Sequence, residues 1–245
     1  MNDELQILCL GSGSSGNCYL LGFKDEYIMV ECGLPYKTII KKMAEQGISV
    51  EQIKALVVSH SHSDHALSID EFNWLEIPVY APFREENPQG IDKALNLTEW
   101  AKVRAFRVEH DVPCYGFAFL FDNSEKDALL FVTDTRYIEH PFFKYRYQYI
   151  MIECNHIRKQ LEAIMDKALL EGNAQKVFKF KRQANYHLSL AGVKKTLNQM
   201  KLTQVKAIFL MHLSKECCND DLVKKEISAK YGIRTFVCYR NGGIN

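Results

Sequence analysis

Short apolar runs separated by polar turns dominate the first half of this chain, and helical periodicity appears mainly in the second half. The order of these patterns favours a layered α/β sandwich over a strictly alternating parallel sheet. Strands are predicted over 5–10, 18–23, 27–30, 54–59, 77–81, 103–108, 115–121, 128–132, 145–152, 207–211 and 234–238, and helices over 35–47, 68–75, 157–170, 189–199 and 220–231.

Length and composition indicate one globular unit spanning residues 1–245. Apolar residues make up 47% and charged residues 25% of the chain, which argues against a disordered or fibrous protein. The net charge is +1, from 31 basic and 30 acidic residues. Binding of a polyanion through bulk charge is therefore excluded, but a local basic groove is not.

The cysteine pattern and the first residues bear on the compartment. Eight cysteines occur without a C-x-x-C motif, and the chain starts Met-Asn-Asp-Glu, without the basic region of a signal peptide. The chain also has no run of about 18 apolar residues. We therefore expect a cytoplasmic protein with reduced thiols and no membrane partner.

The densest group of metal-ligand side chains is His60-Ser-His62-Ser-Asp64-His65. Residues two apart in an extended segment point the same way, so His60 and His62 can bind one metal ion. If the chain then turns into a helix, Asp64 and His65 can face a second ion. The alternative is a polar loop that is rich in histidine by accident.

Three further ligand-type residues follow apolar strand patterns, namely His110, Asp134 and His212. Ligands of open α/β sheets collect at the carboxyl ends of strands, so these side chains can converge on the histidine cluster. Asp134 is the natural bridge between two ions. Such a pair of metals would activate a water and hold a phosphoryl or acyl oxygen.

This arrangement of ligands resembles the metallo-β-lactamase fold superfamily. Several stretches also resemble the YycJ/WalJ family of small bacterial metal-dependent exodeoxyribonucleases, namely 11–21, 31–39, 153–156, 186–189 and 211–216. The resemblance implies a four-layer αβ/βα sandwich with two mixed sheets flanked by helices. It also implies one metal on His60, His62 and His110, a second on Asp64, His65 and His212, and Asp134 between them.

Two positions depart from that family pattern. Glu31 stands where the family usually has Asp, near the metals but not on them. The stretch 179–185 matches the family's basic run only loosely. Both departures affect the expected substrate more than the expected metals.

His187 competes with His212 as the last ligand. It precedes a predicted helix with Ser189 as its N-cap, and a helix N-terminus suits an anion. Related phosphodiesterases resemble this arrangement, with such a histidine protonating the leaving oxygen. Glu153, at another strand end, could orient His187. We therefore take Asp64, His187 and Glu153 as catalytic candidates, whereas His140 and His156 are expected to be surface or supporting residues.

Two segments are candidates for substrate binding. Gly11-x-Gly13-x-x-Gly16 matches a dinucleotide fingerprint, but a strand pattern follows it, so a tight hairpin is predicted. Its Ser14, Ser15 and Asn17 are expected to meet a phosphate. The run 178–182 interleaves aromatic and basic residues, as single-strand grooves do, although strand packing gives the same alternation. The basic candidates are Lys179, Lys181 and Arg182, whereas the similar run 144–147 favours a core strand.

Together these features predict a di-metal phosphodiesterase that acts on nucleic acid, with a 5′-to-3′ DNA exonuclease favoured. A hydrolase of small phosphodiesters such as cyclic nucleotides is the second hypothesis, and a non-catalytic, metal-binding regulatory protein is the third. The expected cofactors are two divalent ions, with zinc favoured and manganese the alternative. The sequence leaves the oligomeric state open, a homodimer included.

Overall fold

The computed structural model describes residues 4–91, 93–121, 127–138 and 145–245, and two mixed β-sheets dominate them. In the first sheet, the strands lie in their order along the chain. The first three pair antiparallel and the last three pair parallel. They are β1 (Gln6–Gly11), β2 (Cys18–Phe23), β3 (Glu26–Val30), β4 (Ile53–Val57) and β5 (Val79–Tyr80).

The second sheet has seven strands in the order β12-β11-β10-β9-β8-β7-β6. The strands from β9 to β12 are parallel, whereas those from β6 to β9 are antiparallel. They are β6 (Leu95–Asn96), β7 (Ala101–Val108), β8 (Cys114–Phe121), β9 (Asp127–Val132), β10 (Arg146–Glu153), β11 (Ala207–Met211) and β12 (Arg234–Val237).

Helices cover the outer faces of both sheets. They are α1 (Tyr36–Glu45), α2 (Ser63–Ala66), α3 (Ile69–Trp74), α4 (Arg158–Leu170), α5 (Ala174–Tyr186), α6 (Leu190–Asn198) and α7 (Asp220–Tyr231). Side chains before three of them form N-caps: Asn173 Oδ1 accepts from Lys176 N–H, Ser189 Oγ from Gly192 N–H, and Asn219 Oδ1 from Leu222 N–H.

The main core lies between the two sheets. Leu21, Val30 and Val57 of the first sheet pack against Phe117 and Phe131 of the second. Both faces of the inner strands are covered, so β8 is buried along nearly its whole length and lacks a polar face. The inner strands therefore form a rigid support whose ends can position side chains.

The outer faces of the sheets pack on the helices. Ile39 of α1 and Phe72 of α3 cover the first sheet, and Leu197 of α6 and Ile227 of α7 cover the second. The resulting order of layers is helices, sheet, sheet, helices, which confirms the predicted four-layer sandwich. The glycine-rich segment after β1 is a hairpin leading into β2, as predicted.

One helix was not predicted. The segment 178–182 lies inside α5, so the alternative explanation of its pattern by strand packing does not apply. Helical periodicity places Phe180 in the core between α4 and α5 and leaves Phe178 exposed. In the similar run 144–147, Tyr147 is buried within β10, whereas Lys144 lies outside the described residues.

Two further features concern the cysteines and the helices. All eight cysteines are free thiols. Within the part of the chain that the structure describes, every helix is too short or too polar to cross a membrane.

The short helix α2, which carries Asp64 and His65, is held by the loop that follows β3. Cys32 N–H donates to His65 O at 2.8 Å, and Asn17 N–H donates to Asp64 O at 2.8 Å. Gly33 lies directly against this helix, since a Cβ there would be 1.8 Å from Asp64 O. The position of α2 therefore depends on a residue without a side chain at 33.

We expect Gly33→Ala to destabilise the protein by about 3 kcal/mol or more, because backbone must move to admit the methyl group. Gly47→Ala is the matched control: its left-handed φ of 72° carries a cost of about 1 kcal/mol, but no atom lies within 4 Å of the added Cβ. Denaturant unfolding measures both. Equal stabilities of the two variants would contradict this account of α2.

Candidate functional site

The ligand-type residues lie at the carboxyl ends of neighbouring strands. His60 follows β4, His110 follows β7, Asp134 follows β9, Glu153 ends β10 and His212 follows β11. The parallel pairing of β9, β10 and β11 brings the last three to one edge of the sheet. The structure thus gathers side chains that are up to about 150 residues apart in the chain.

Three of the strand ends have a left-handed backbone. Glu31, Asp134 and His212 have φ values of 64°, 46° and 53°. Where this backbone conformation is strained, it lowers the stability of the folded protein by about 1–3 kcal/mol per residue. Residues of this kind cluster at functional sites. Immediately after a strand, this conformation turns the chain sharply. The side chains of these residues are thereby buried at the site instead of continuing the pleat.

The first ligand group consists of three histidines and one carboxylate. His62 Nδ1 lies 3.0 Å from His60 Nε2 and 3.2 Å from His110 Nε2. Asp134 Oδ2 lies 3.8 Å from both of those Nε2 atoms. Ser59 Oγ contacts His60 Nδ1 at 2.8 Å. A proton on that nitrogen would leave the lone pair of His60 Nε2 facing the centre of the group.

The second group lies on the other side of Asp134. Asp64 Oδ2 is 3.5 Å from His65 Nε2 and 3.3 Å from His212 Nε2. Asp134 Oδ1 is 3.5 Å from His65 Nε2 and 3.6 Å from His212 Nδ1. The two oxygens of Asp134 therefore face different groups, which is the arrangement of a bridging carboxylate.

The spacing and chemistry of these atoms fit divalent metal ions. Ligand atoms around a tetrahedral zinc are about 3.4 Å apart, because the bonds measure about 2.0–2.1 Å. The four separations given above for the first group span 3.0 to 3.8 Å, and all its ligand atoms lie within 4.8 Å of one another. His62 Nδ1 lies within hydrogen-bond distance of two other ring nitrogens, His60 Nε2 and His110 Nε2, and a neutral imidazole has only one N–H to donate. A bound metal cation would coordinate the lone pairs of these ring nitrogens.

The histidines divide into two groups by the direction in which their pKa is shifted. Burial lowers the pKa of His60 and of His110, which favours the neutral ring that a metal ligand needs. Burial also acts to lower the pKa of His65 and His212, but the carboxylates of Asp134 and its neighbours outweigh it. They raise the pKa of His65 well above its usual value and that of His212 to about 10.

The pKa values of the carboxylates are lowered by the same histidines. Burial alone would raise the pKa of Asp64 and of Asp134, yet both lie well below their usual range. For Asp64 the cause is hydrogen bonding to His212 and His65, and for Asp134 it is the charge on the same two rings. Protons on the histidines thus neutralise buried carboxylates, and bound metal ions would take over that role and displace the protons.

Glu31 supports the second group from behind. It is fully buried, its carboxylate accepts from Ser59 N–H at 3.3 Å, and Oε2 lies 3.6 Å from His65 Nδ1. Its longer side chain thus fills the position where the resembling family usually has Asp.

Glu153 contacts both competing histidines. Its Oε1 lies 2.6 Å from His187 Nδ1 and 3.2 Å from His212 Nδ1. Its Oε2 accepts from the backbone N–H of Leu188 and Thr135. Burial opposes ionisation, but the charge on His187 holds the pKa of Glu153 below its usual value. In turn, Glu153 and Asp134 outweigh burial and raise the pKa of His187.

The positions of His187 and His212 differ in one respect. His212 Nε2 lies 3.3 Å from Asp64, whereas His187 Nδ1 lies 3.8 Å from Asp134. His187 also forms a possible ligand group with Asp134, Glu153 and His212, whose ligand atoms lie within 4.8 Å of one another. His187 also lines an open cavity and is 11% exposed at its side chain. His212 thus contacts the second ligand group directly and His187 borders the cavity, whereas the choice of His212 as the last ligand stays a prediction.

The residues of the glycine-rich hairpin are divided between surface and interior. Ser14 and Ser15 are exposed at its tip. Asn17 is buried: its Oδ1 accepts from Gly13 N–H at 2.8 Å, and its Nδ2 donates to Asp64 O at 3.0 Å and lies 3.1 Å from His65 Nε2. Asn17 thus fixes the hairpin to α2, and its predicted contact with substrate remains a prediction.

The basic residues of α5 are not a free cationic surface. Lys179 forms an ion pair with Glu216, and Arg182 Nε donates to Asp111 Oδ2 at 2.9 Å. Lys181 lines a separate hollow at the junction of α4 and α5. The helix therefore directs these side chains to different places, so they do not form the continuous groove predicted from the sequence.

Three polar residues near the ligands were not singled out from the sequence. Asp111 Oδ1 lies 3.1 Å from His110 Nε2 and 3.4 Å from His62 Nε2. Ser12 Oγ accepts from His212 N–H at 2.9 Å, and Asn155 Nδ2 donates to His212 O at 2.9 Å. Adjacency to His110 was the only signal for Asp111. Of the remaining candidates, His156 is buried and His140 lies outside the described residues.

Curated sequences include two similar nucleases. Exodeoxyribonuclease YycJ of Bacillus anthracis is 26% identical over 152 residues, which cover 55% of this chain and 56% of that protein. Exodeoxyribonuclease WalJ of Streptococcus pneumoniae is 28% identical over 146 residues, covering 53% and 54%. The chain thus matches about half the length of these relatives.

A solved structure shares the fold over the whole chain. The metallo-beta-lactamase fold protein YhfI from Bacillus subtilis superposes with a TM-score of 0.71 at 16% identity, covering 100% of this chain and 99% of that one. The Metallo-beta-lactamase superfamily itself matches residues 11–144, a segment that holds all the candidate ligands except His212. The chain therefore belongs to the metallo-β-lactamase superfamily, whose members are metal-dependent hydrolases.

Proposed function

We propose that this protein is a di-metal phosphodiesterase that degrades DNA from a 5′ end. One observation carries the proposal: the two oxygens of Asp134 face two separate ligand groups, beside a hydrogen-bonded pair of His187 and Glu153. The relatives YycJ and WalJ are both exodeoxyribonucleases, which supports DNA as the substrate.

The cofactors in this proposal are two divalent ions. His60, His62 and His110 would hold one, Asp64, His65 and His212 the other, and Asp134 both. When bound, such ions lower the pKa of a water and neutralise charge on phosphoryl oxygens. Histidine-rich sets favour zinc, with manganese the alternative.

His187 is the proposed proton donor to the leaving oxygen. Its Nδ1 is held 2.6 Å from the Glu153 carboxylate, which fixes the ring and leaves Nε2 for the substrate. Glu153 is itself fixed by two backbone N–H groups, so it positions His187 without touching substrate. Protonation of a leaving oxygen by a placed histidine contributes about 10²–10⁴-fold to a rate.

The substrate class is tested with 5′-labelled single- and double-stranded DNA, RNA and a cyclic nucleotide, each with zinc or manganese. We expect the zinc- or manganese-loaded protein to shorten DNA from the 5′ end, and chelator to abolish the reaction. Because a polymer releases counterions on binding, DNA affinity should fall steeply with salt. Turnover of the cyclic nucleotide alone would contradict the proposal, and so would turnover that survives chelation.

A second prediction concerns Asp134 as the proposed bridge between two metal ions. Asp134→Asn keeps the shape of the side chain and suits the left-handed backbone, but it removes the charge that two ions would share. We expect about two metal ions per wild-type chain and at most about one in the variant, measured by elemental analysis. Asp166→Ala, at an exposed position of α4, is the control and should keep the wild-type value. A wild-type content below one, with activity intact, would refute the di-metal proposal.

A third prediction separates the two histidines. His187→Ala should keep its metal content yet slow DNA hydrolysis by about 10²–10⁴-fold. The loss should shrink for bis-p-nitrophenyl phosphate, whose leaving group needs little protonation. His212→Ala should instead lose metal. The opposite result, with metal lost from His187→Ala and retained in His212→Ala, would exchange their roles.

A further inference from the structure

An ion pair at the edge of the first ligand group joins two distant parts of the chain. Asp111 follows His110 in the turn that connects β7 to β8, and Arg182 lies near the end of α5. Arg182 Nε donates to Asp111 Oδ2 at 2.9 Å, and its Nη2 donates to the same oxygen. Because both contacts go to Oδ2, the other oxygen of the carboxylate is left for the histidines.

Oδ1 of Asp111 lies near two rings of that group. It is 3.1 Å from His110 Nε2 and 3.4 Å from His62 Nε2. His110 Nε2 already faces the centre of the group, since it lies 3.2 Å from His62 Nδ1 and 3.8 Å from Asp134 Oδ2. His62 faces that centre with Nδ1 instead, so its Nε2 is the nitrogen that is left for a partner outside the group.

The chemistry of histidine ligands gives this contact a role. A neutral imidazole carries one proton, and the nitrogen without the proton is the one that binds a metal. A hydrogen bond from the protonated nitrogen to a carboxylate fixes both that choice and the orientation of the ring. Asp111 Oδ1 is placed to keep the proton of His62 on Nε2, which leaves the Nδ1 lone pair for the centre of the group.

His62 depends on such support more than the other two histidines of the group. Its side chain is 27% exposed, whereas those of His60 and His110 are fully buried. The ring of His62 is therefore held by fewer neighbours. For His60 an outer contact is already present, because Ser59 Oγ lies 2.8 Å from its Nδ1. Asp111 supplies the equivalent outer contact to His62.

The helix α5 holds Arg182 in place beside the ligand group. Phe180 of this helix is buried between α4 and α5, and Gln183 is buried next to Arg182. The ring of Tyr186 lies edge-on against His110, with 5.8 Å between the ring centroids. The packing of α5 thus fixes the backbone that carries Arg182, although the end of the Arg182 side chain is partly exposed.

We propose that Asp111, held by Arg182, is a positioning residue that fixes His62 for the first metal ion. The inference rests on the proposed function, because it presupposes a metal ion on His60, His62 and His110. It assigns Arg182 to the metal site instead of to a DNA strand. Both residues act through His62, and neither touches the substrate.

The test removes the ion pair without changing the net charge. The double variant Asp111→Ala/Arg182→Gln loses one charge of each sign, and both side chains are partly exposed, so the fold tolerates the change. Zinc is titrated into the chelator-treated protein against a competing chelator, which resolves the affinities of two sites. We expect the first site to bind zinc about 10–100-fold more weakly than in the wild type. The site on Asp64, His65 and His212 should keep its affinity.

The matched control is an exposed ion pair at the end of α4, removed in Lys167→Gln/Glu171→Ala. This control should leave both zinc affinities unchanged. The single variant Arg182→Gln separates positioning from charge. Loss of a nearby cation would by charge alone tighten zinc binding, whereas loss of the support for Asp111 weakens it, and we expect weaker binding. Tighter binding in this variant would overturn the proposal.

The ring proton of His62 gives a readout that a general loss of structure would not reproduce. In the zinc-loaded wild type, ¹⁵N NMR should show His62 protonated at Nε2, with slow exchange of that proton because Asp111 accepts it. At saturating zinc, the same proton should exchange about tenfold faster in the double variant, since its hydrogen bond is lost. Zinc bound through His62 Nε2, or bound by Asp111 itself, would refute the positioning role.

The zinc titration also separates this inference from the proposed function. Two zinc ions bound by the double variant with wild-type affinities would refute the inference and leave the di-metal proposal standing. A wild type that binds no zinc at His60, His62 and His110 would refute both.

Discussion

The constraint on which this site depends is the burial of carboxylates away from water. Asp134, Glu153 and Glu31 are each at most 2% exposed, and an uncompensated charge in such surroundings would cost several kcal/mol. Six histidine rings surround these groups and supply the compensation, three from the 60–65 motif and one each from positions 110, 187 and 212. This packing stabilises the buried carboxylates. It also places ligand atoms that attract positive charge at two points, one on each side of Asp134.

The fold meets this constraint through its strand ends. The buried strands β9, β10 and β11 stop in register, and left-handed residues at 134 and 212 turn their side chains into the site. Glu153 connects the proposed metal ligands to the proposed proton donor, because one of its oxygens contacts both His212 and His187. In the proposed function, binding of metal and orientation of His187 would therefore be coupled through a single buried carboxylate. His187 also lines an open cavity, so these buried polar groups are connected to the protein surface at that point.

Much of this arrangement could be predicted because it is local in the sequence. The spacing of His60, His62, Asp64 and His65 is a short motif, and Asp134 and His212 each end an apolar strand whose direction fixes them. What could not be predicted depends on tertiary placement. The segment 178–182 alternates like a strand but folds as a helix, because Phe180 is needed in the core between α4 and α5. The pairing of Arg182 with Asp111 spans 71 residues and leaves no sequence pattern.

Diffraction from crystals soaked in zinc, with data collected on both sides of the zinc absorption edge, is the most direct test of the central claim. The account predicts two anomalous peaks about 3.5–4 Å apart, as in other two-metal sites. One peak should lie among His60, His62 and His110, the other among Asp64, His65 and His212, with one oxygen of Asp134 on each. A single peak, or a second peak held by His187 in place of His212, would contradict the account.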